Sequence, residues 1–444
     1  MGMKTISRRI RIGLFMFALI SVVLLSLVGL DHLLHRHSSV IYYGTLHSAV
    51  EDINNGTVGD KAQKSRWGAV AAIDTDEHGA YIVKLLKDIQ ITYDVPISAD
   101  MTICLNGHTL SGNCKAVLDI LEGNVIIDGQ VKNSAITNHR TDGGNTRPIQ
   151  VRTGRLTILG GTYTADLNSA DGTAIGIMAN ATIEIKDATI AATNTAGTAQ
   201  ALQLHADSTQ VISNCQIVAE GRTVVIGINN RGTAKLLETH VTALSDYAVT
   251  ENGDMYAATA IGIQNYPSGT LTLENCNVSG IHSGVQNQGT LSVTGGIYEG
   301  YGHGGFYFSG DGTQNTAHVH GAIIRQCAMP TGYEDMGAET TQAGFYIGGS
   351  KNSNHIRVYL DGCDIYGAQY PFVLRGTSGE TDNALYISNS KVNLDGTYGI
   401  RLDNPSHKLY IGTGCNFDAS HVKGKPGTDT DVSDSIHSTN ESYP

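Results

Sequence analysis

Two groups of carboxylates and tyrosines flank a pair of histidines in this 444-residue chain. Asp246, Tyr247, Glu251, Asp254 and Tyr256 come first, and Tyr333, Glu334, Asp335 and Glu339 come last. Between them stand His282, Tyr301 and His303. Carboxylates beside a histidine suit glycoside hydrolysis or β-elimination, where one group holds a proton for the leaving oxygen and another removes a proton or attacks. The candidate catalytic residues are therefore His303, Asp254, Glu334 and Asp335. A second set suits recognition without turnover. Flat rings lie well against sugar C–H faces and amides pair with hydroxyls, which singles out Tyr266, Gln286, Gln288, Tyr301, Tyr307 and Tyr346 as candidate binding residues. No cofactor and no metal site is expected: the seven cysteines form no CxxC. Cys104 and Cys114 stand as the one candidate disulfide, and His32, His35 and His37 read as part of a solvated stalk.

The elements that must position these residues are repeats. In Gly284-Val285-Gln286-Asn287-Gln288-Gly289-Thr290-Leu291-Ser292-Val293-Thr294-Gly295-Gly296-Ile297-Tyr298, side chains alternate with period two on either side of a Gly-Thr turn. Neither short strand can bury its apolar face alone, so the unit must stack on copies of itself. The opening apolar residue recurs as Ile149, Ile177, Leu202, Ile228, Ile263, Val285, Phe306, Phe345, Phe372 and Ile400. Most intervals are about 21–28 residues, too short for a four-stranded propeller blade, and no leucine-rich pattern is present. The fold expected is all-β: a parallel β-helix of about thirteen coils over 80–418. Glycine at 53 residues, with only 8 prolines, suits many tight bends between ladder-forming strands.

Thr102-Ile103-Cys104-Leu105-Asn106-Gly107-His108-Thr109-Leu110-Ser111-Gly112 resembles the opening coil of bacterial surface proteins of the right-handed parallel β-helix, pectate-lyase-like superfamily, and the resemblance extends over about residues 80–418. It implies the fold and its handedness; for activity it implies little, because that superfamily hosts lyases, hydrolases, epimerases and non-enzymatic adhesins. Gly302-His303-Gly304 is similar to the Gly-His-Gly of polygalacturonase-like hydrolases, but their aspartate motifs and Arg-x-Lys are absent.

Two positions inside the coil repeat. Cys215, Cys276, Cys363 and Cys415 share a slot with Ala188, Gly296 and Ala322, so the slot needs a small buried residue. Asn230, Asn265 and Asn287 share a second inward slot and are expected to form a structural amide ladder. On the outward side, Tyr359, Tyr386 and Tyr410 fall on one column and should stack one strand spacing apart. Two long steps of the repeat carry insertions at 241–259 and 325–342, both after the second strand of a coil. Three coils apart, at about 4.8 Å per coil, they would wall a cleft about 15 Å wide, room for about three sugars.

The ends differ from the middle. Lys4, Arg8, Arg9 and Arg11 precede an uncharged apolar run from Ile12 to Leu30, so 1–30 is expected to be a signal peptide or N-terminal membrane anchor with the rest exported. Residues 31–79 read as a linker and a capping segment, with Thr45 capping a short helix through Ile53, and 419–444 as a disordered tail. The formal charge of −12 argues against a nucleic-acid partner. The reading reached is an exported, adhesin-like β-helix that binds a polysaccharide or a glycosylated surface. Its alternatives are a polysaccharide lyase or glycoside hydrolase acting in the cleft, and a structural stalk.

Overall fold

The computed structural model describes residues 40–205, 209–245, 259–309, 315–326, 343–348, 355–367, 369–375, 383–395, 397–424 and 431–439. Its strands form three long sheets of 16, 12 and 13 strands, called here sheets 1, 2 and 3. The chain visits them in turn. Ser283–Asn287 lies in sheet 3, Thr290–Thr294 in sheet 1 and Ile297–Gly300 in sheet 2, after which Phe306–Phe308 returns to sheet 3. Each strand pairs in parallel with its counterpart one coil away. This is the strand order of a parallel β-helix.

The apolar columns are continuous. Ile149, Ile177, Leu202, Ile228, Ile263, Val285, Phe306, Phe345 and Phe372 are register partners along sheet 3. All are buried, as are Leu271, Leu291 and Leu385 along sheet 1. Alternation with period two drives this, since a one-residue slip would turn a whole strand's apolar set to solvent. The third strand of each coil, in sheet 2, shows in the sequence only as the end of a bend. Ile297–Gly300 sends just Tyr298 and Gly300 inward, too few positions for a visible period.

The turn from sheet 1 to sheet 2 is set by one backbone conformation. Asn214, Asn275, Gly295, Gly362 and Asn389 have φ between 49° and 66°, the left-handed region that asparagine and glycine enter most readily. The next residue points into a tight corner: Cys215, Cys276, Cys363, Ala188 and Ala322 are buried there. Burial pushes the Cys276 thiol up to about 11, so these thiols act as small hydrophobes. Cys104 and Cys114, the candidate disulfide, are both free thiols.

The asparagines form the expected ladder and extend it by one rung. Asn230 Nδ2 donates to Asn265 Oδ1 at 2.8 Å, Asn265 Nδ2 to Asn287 Oδ1 at 2.7 Å, and Asn287 Nδ2 to Asn315 Oδ1 at 2.6 Å. The same amides also donate to the turn carbonyls of Gly232, Gly269 and Gly289. All four side chains are fully buried, and the network supplies the partners that burial requires.

At the N-terminal end Ile41–Tyr43 pairs antiparallel with Ala71–Thr75, which pairs antiparallel with Tyr81–Leu85. Helix α1 (Leu46–Asn54) follows Thr45, whose hydroxyl accepts from the Ser48 N–H at 3.0 Å. Leu46, Ala49, Val50 and Ile53 join the core, and Asn54 Nδ2 donates to the carbonyl of Pro96 in the first strand of sheet 3. At the other end, within the segment expected to be a disordered tail, Val422–Lys423 pairs with Ile400–Leu402 and Ile436–Ser438 pairs with Lys408–Ile411. Val422 and Val432 are the buried apolar anchors there.

Candidate functional site

Both insertions leave sheet 2 and re-enter sheet 3, so they spring from one corner of the coil. On the two coils between them this corner is short: Ile281 and His282 link Asn277–Gly280 to Ser283–Asn287, and Tyr301 to Gly305 link Ile297–Gly300 to Phe306–Phe308. The backbone stacks here as in a strand. The N–H of His303 donates to the carbonyl of His282 at 2.7 Å, and that of His282 to the carbonyl of Ala260 at 2.7 Å. Gly304 has a φ of +79°, and a Cβ there would sit 2.0 Å from the carbonyl oxygen of Ala343, so only glycine lets the next coil come this close.

Stacked backbones bring side chains together. The rings of His282 and His303 lie 4.4 Å apart, centroid to centroid, tilted by 39°. Tyr307 lies 4.9 Å from His303, and Tyr346 lies 5.0 Å from it, edge-on. Both imidazoles are neutral at physiological pH. Burial pulls His282 down to about 4; burial, then the charges of His282 and Arg375, pull His303 to about 3. Each neutral ring offers one donor and one acceptor. His282 Nδ1 lies 3.3 Å from Ser283 Oγ, whereas His303 Nδ1 is buried without a partner among the described residues. Burial raises the Tyr346 phenol, opposed by the Arg375 guanidinium that bonds to it.

The remaining candidate binding residues divide. Gln286 and Gln288 each donate an amide proton to Ser309 Oγ, at 3.2 and 3.3 Å, on the outward side of sheet 3 beside Tyr307. Tyr307 packs onto a second apolar cluster of Ala343, Tyr346, Tyr370 and Val373; Tyr346 faces outward from the strand yet is only 2% exposed. The rings of Tyr307 and Tyr346 are tilted by 58°, so they do not form one plane. Tyr301 turns toward the main core. Tyr266 lies two coils away beneath the guanidinium of Arg231, 4.2 Å from its carbon. Asp254, Glu334 and Asp335 lie outside the described residues, as do 246–258 and 327–342 of the two expected insertions. The insertions begin later than the sequence suggests, because Val241 to Ser245 and Arg325 to Gln326 still belong to strands of sheet 2. Among the described residues no group of three or more His, Cys, Asp or Glu side chains converges as metal ligands would.

No protein family matches this chain, and no characterised protein is significantly similar to it.

A second aromatic column stands on the outward face of sheet 1. Tyr359, Tyr386 and Tyr410 stack at 4.6 and 4.4 Å with planes within 9° of parallel. His318 extends the column at one end, 4.7 Å from Tyr359, and His437 at the other, 4.9 Å from Tyr410. The repeat in the sequence puts His318 at the same outward position as the tyrosines. His437 belongs to a strand that composition had hidden. Because each ring covers its neighbour's face, the column presents edges and hydroxyls outward, so these tyrosines do not offer the flat faces that stacking on a sugar requires.

Proposed function

We propose that this protein is an exported, non-enzymatic surface module, a right-handed β-helix of the pectate-lyase-like type, that binds glycans or a glycosylated surface at the His282–His303 corner. The observation that carries this reading is the neutral, ring-rich cluster of His282, His303, Tyr307 and Tyr346, with Gln286 and Gln288 alongside. A ligand covered with hydroxyls both donates and accepts hydrogen bonds and has apolar C–H faces. Neutral imidazoles, phenols and amides next to ring surfaces match both properties without an ion to desolvate. The placement of the cluster between two long connections at one corner supports a bounded site. Helix α1 acts in this reading as the lid on the first coil, as a solenoid end needs, and residues 1–30 deliver or anchor the chain.

His303 Nδ1, buried without a partner among the described residues, has a lone pair or proton to offer a substrate, which keeps lyase or hydrolase activity as the second reading, although burial makes this imidazole a weaker base than one poised near neutrality. A glycan array probed with the wild-type chain and with a His303→Ala, Tyr307→Ala double variant separates the possibilities. Binding that the double variant loses supports the module. Shortened glycans recovered after incubation would move the assignment to an enzyme. No retained glycan, or equal retention by both chains, removes the reading.

A further inference from the structure

The only tryptophan of the chain, Trp67, is 93% exposed. An indole left in water forgoes a large apolar contribution, and loose structure does not account for it. Its loop is pinned at several points. Asp52, fully buried in α1, accepts from the N–H groups of Gly59 and Lys61 at 3.2 and 2.9 Å and from the hydroxyl of Tyr43 at 3.0 Å. Gln63 donates its N–H to the carbonyl of Tyr42, and its side-chain amide to the carbonyls of Ser65 and Trp67. Lys87 Nζ donates to the carbonyl of Gly68 at 3.2 Å. The loop thus holds Trp67 out rather than leaving it loose.

Position and charge indicate what it is held out toward. Gln63 bridges to Tyr42 on the side of Ile41–Tyr43 away from Ala71–Thr75, beyond the last strand of sheet 1. The loop is therefore the outermost part of the sheet at its N-terminal end. In a chain of net charge −12, it carries exposed Lys64 and Arg66 beside the indole, neither with an ion-pair partner among the described residues. Lys61 is already paired with Glu51, and Asp60 is the acidic residue of the loop. The apolar run ends at Leu30, and the ten residues from there to Val40 reach at most about 35 Å. Thirteen coils at about 4.8 Å stack to about 60 Å. A chain tethered by that run keeps its N-terminal end within reach of the bilayer, and the far end of the stack lies beyond the tether's reach unless the rod lies flat.

We propose that Trp67, Lys64 and Arg66 form a docking foot for a lipid bilayer carrying anionic headgroups. Indoles settle at the headgroup level with their ring in the apolar boundary and their N–H in water, and basic side chains beside them are drawn to a negative surface. The foot would set the solenoid upright on the membrane and keep the His282–His303 corner clear of it. The inference shares with the functional reading only the expectation of export past residues 12–30, and needs no glycan.

The single tryptophan makes the test direct. The full chain is reconstituted into vesicles of phosphatidylcholine alone or with phosphatidylglycerol, and its emission is followed with lipids brominated near the headgroup. With phosphatidylglycerol present, emission moves to shorter wavelength and is quenched several-fold more than in phosphatidylcholine. High salt and a Lys64→Glu, Arg66→Glu double variant, still tethered and with an unchanged circular-dichroism spectrum, both reverse this. Water-like, unquenched emission in anionic vesicles overturns the proposal. Equal quenching in neutral vesicles, or in the double variant, overturns it too, because proximity from the tether alone would then explain the signal.

Discussion

At the scale of single residues, the buried polar groups carry the sharpest expectations. Asn265 occupies the middle of a chain of amides, accepting from Asn230 and donating to Asn287. Asn265→Ala takes one acceptor from the Asn230 amide, which keeps its bond to the Gly232 carbonyl, and removes the donor to Asn287 Oδ1 and to the Gly269 carbonyl, each stranded buried group costing about 1–3 kcal/mol. Urea unfolding should show a loss of about 2–4 kcal/mol. A change within experimental error would mean that the ladder is incidental. The histidines lead to a pH effect. His282, His303 and the buried His407 take up protons in the folded protein only near 4, 3 and 4, but near 6.5 once unfolded. From about pH 6.5 down to about 4 the unfolded chain binds more protons, so stability falls on acidification, by at most about 1.4 kcal/mol per pH unit for each ring. A His282→Phe, His303→Phe variant should lose less stability than wild type between pH 7 and 4.5. Melting curves with the same acid slope in both chains would refute the assignment.

At the scale of elements, turns and stacked strands decide what a side chain can do. The sheet 1 to sheet 2 turn repeats its left-handed residue at Asn214, Asn275, Gly295 and Asn389, and this holds successive coils in one register. That register places Tyr359, Tyr386 and Tyr410 in parallel planes less than 5 Å apart. Tyr386→Ala removes the middle ring and both contacts, and aromatic pairs contribute about 0.5–1.5 kcal/mol each beyond burial. The variant should lose about 1–3 kcal/mol and the near-ultraviolet circular dichroism of coupled phenols. If both survive, the column is not a unit. The same register explains why His282 and His303 meet although they stand on different coils: the His303 N–H bonds to the His282 carbonyl, and the rings follow their backbones.

At the scale of the whole molecule, a solenoid has no second core to hold its ends, and each coil contacts chiefly its neighbours. Helix α1 places Leu46, Ala49, Val50 and Ile53 in the core next to the first strand of sheet 3. If α1 is the lid, Val50→Asp together with Ile53→Asp should expose that first coil and drive association. Sedimentation would then show concentration-dependent oligomers from a chain whose β-sheet circular dichroism is largely retained. A monodisperse monomer of normal stability would show that the end needs no cover. The two ends are built from different elements: α1 and an antiparallel hairpin stand at one, the short strands Val422–Lys423 and Ile436–Ser438 at the other.

What the chain determines by itself is everything that repeats. Period-two alternation, the recurrence of the Val285-type residue, the small slot of Cys276 and the inward asparagines specify stacked parallel strands, because each is a local pattern whose energetic consequence is the same on every coil. The third strand escaped that reading because two inward residues make no period, and the closing strands near Val422 and Ile436 escaped because their composition is that of a tail. The site is a different matter. Tyr266, Tyr301, Tyr307 and Tyr346 are equal candidates in one dimension, yet packing turns one under Arg231, one toward the core and two against His303. Burial and neighbours, which hold His282 and His303 neutral and bury the outward-facing Tyr346, are properties of contacts between coils, and only the folded stack creates them.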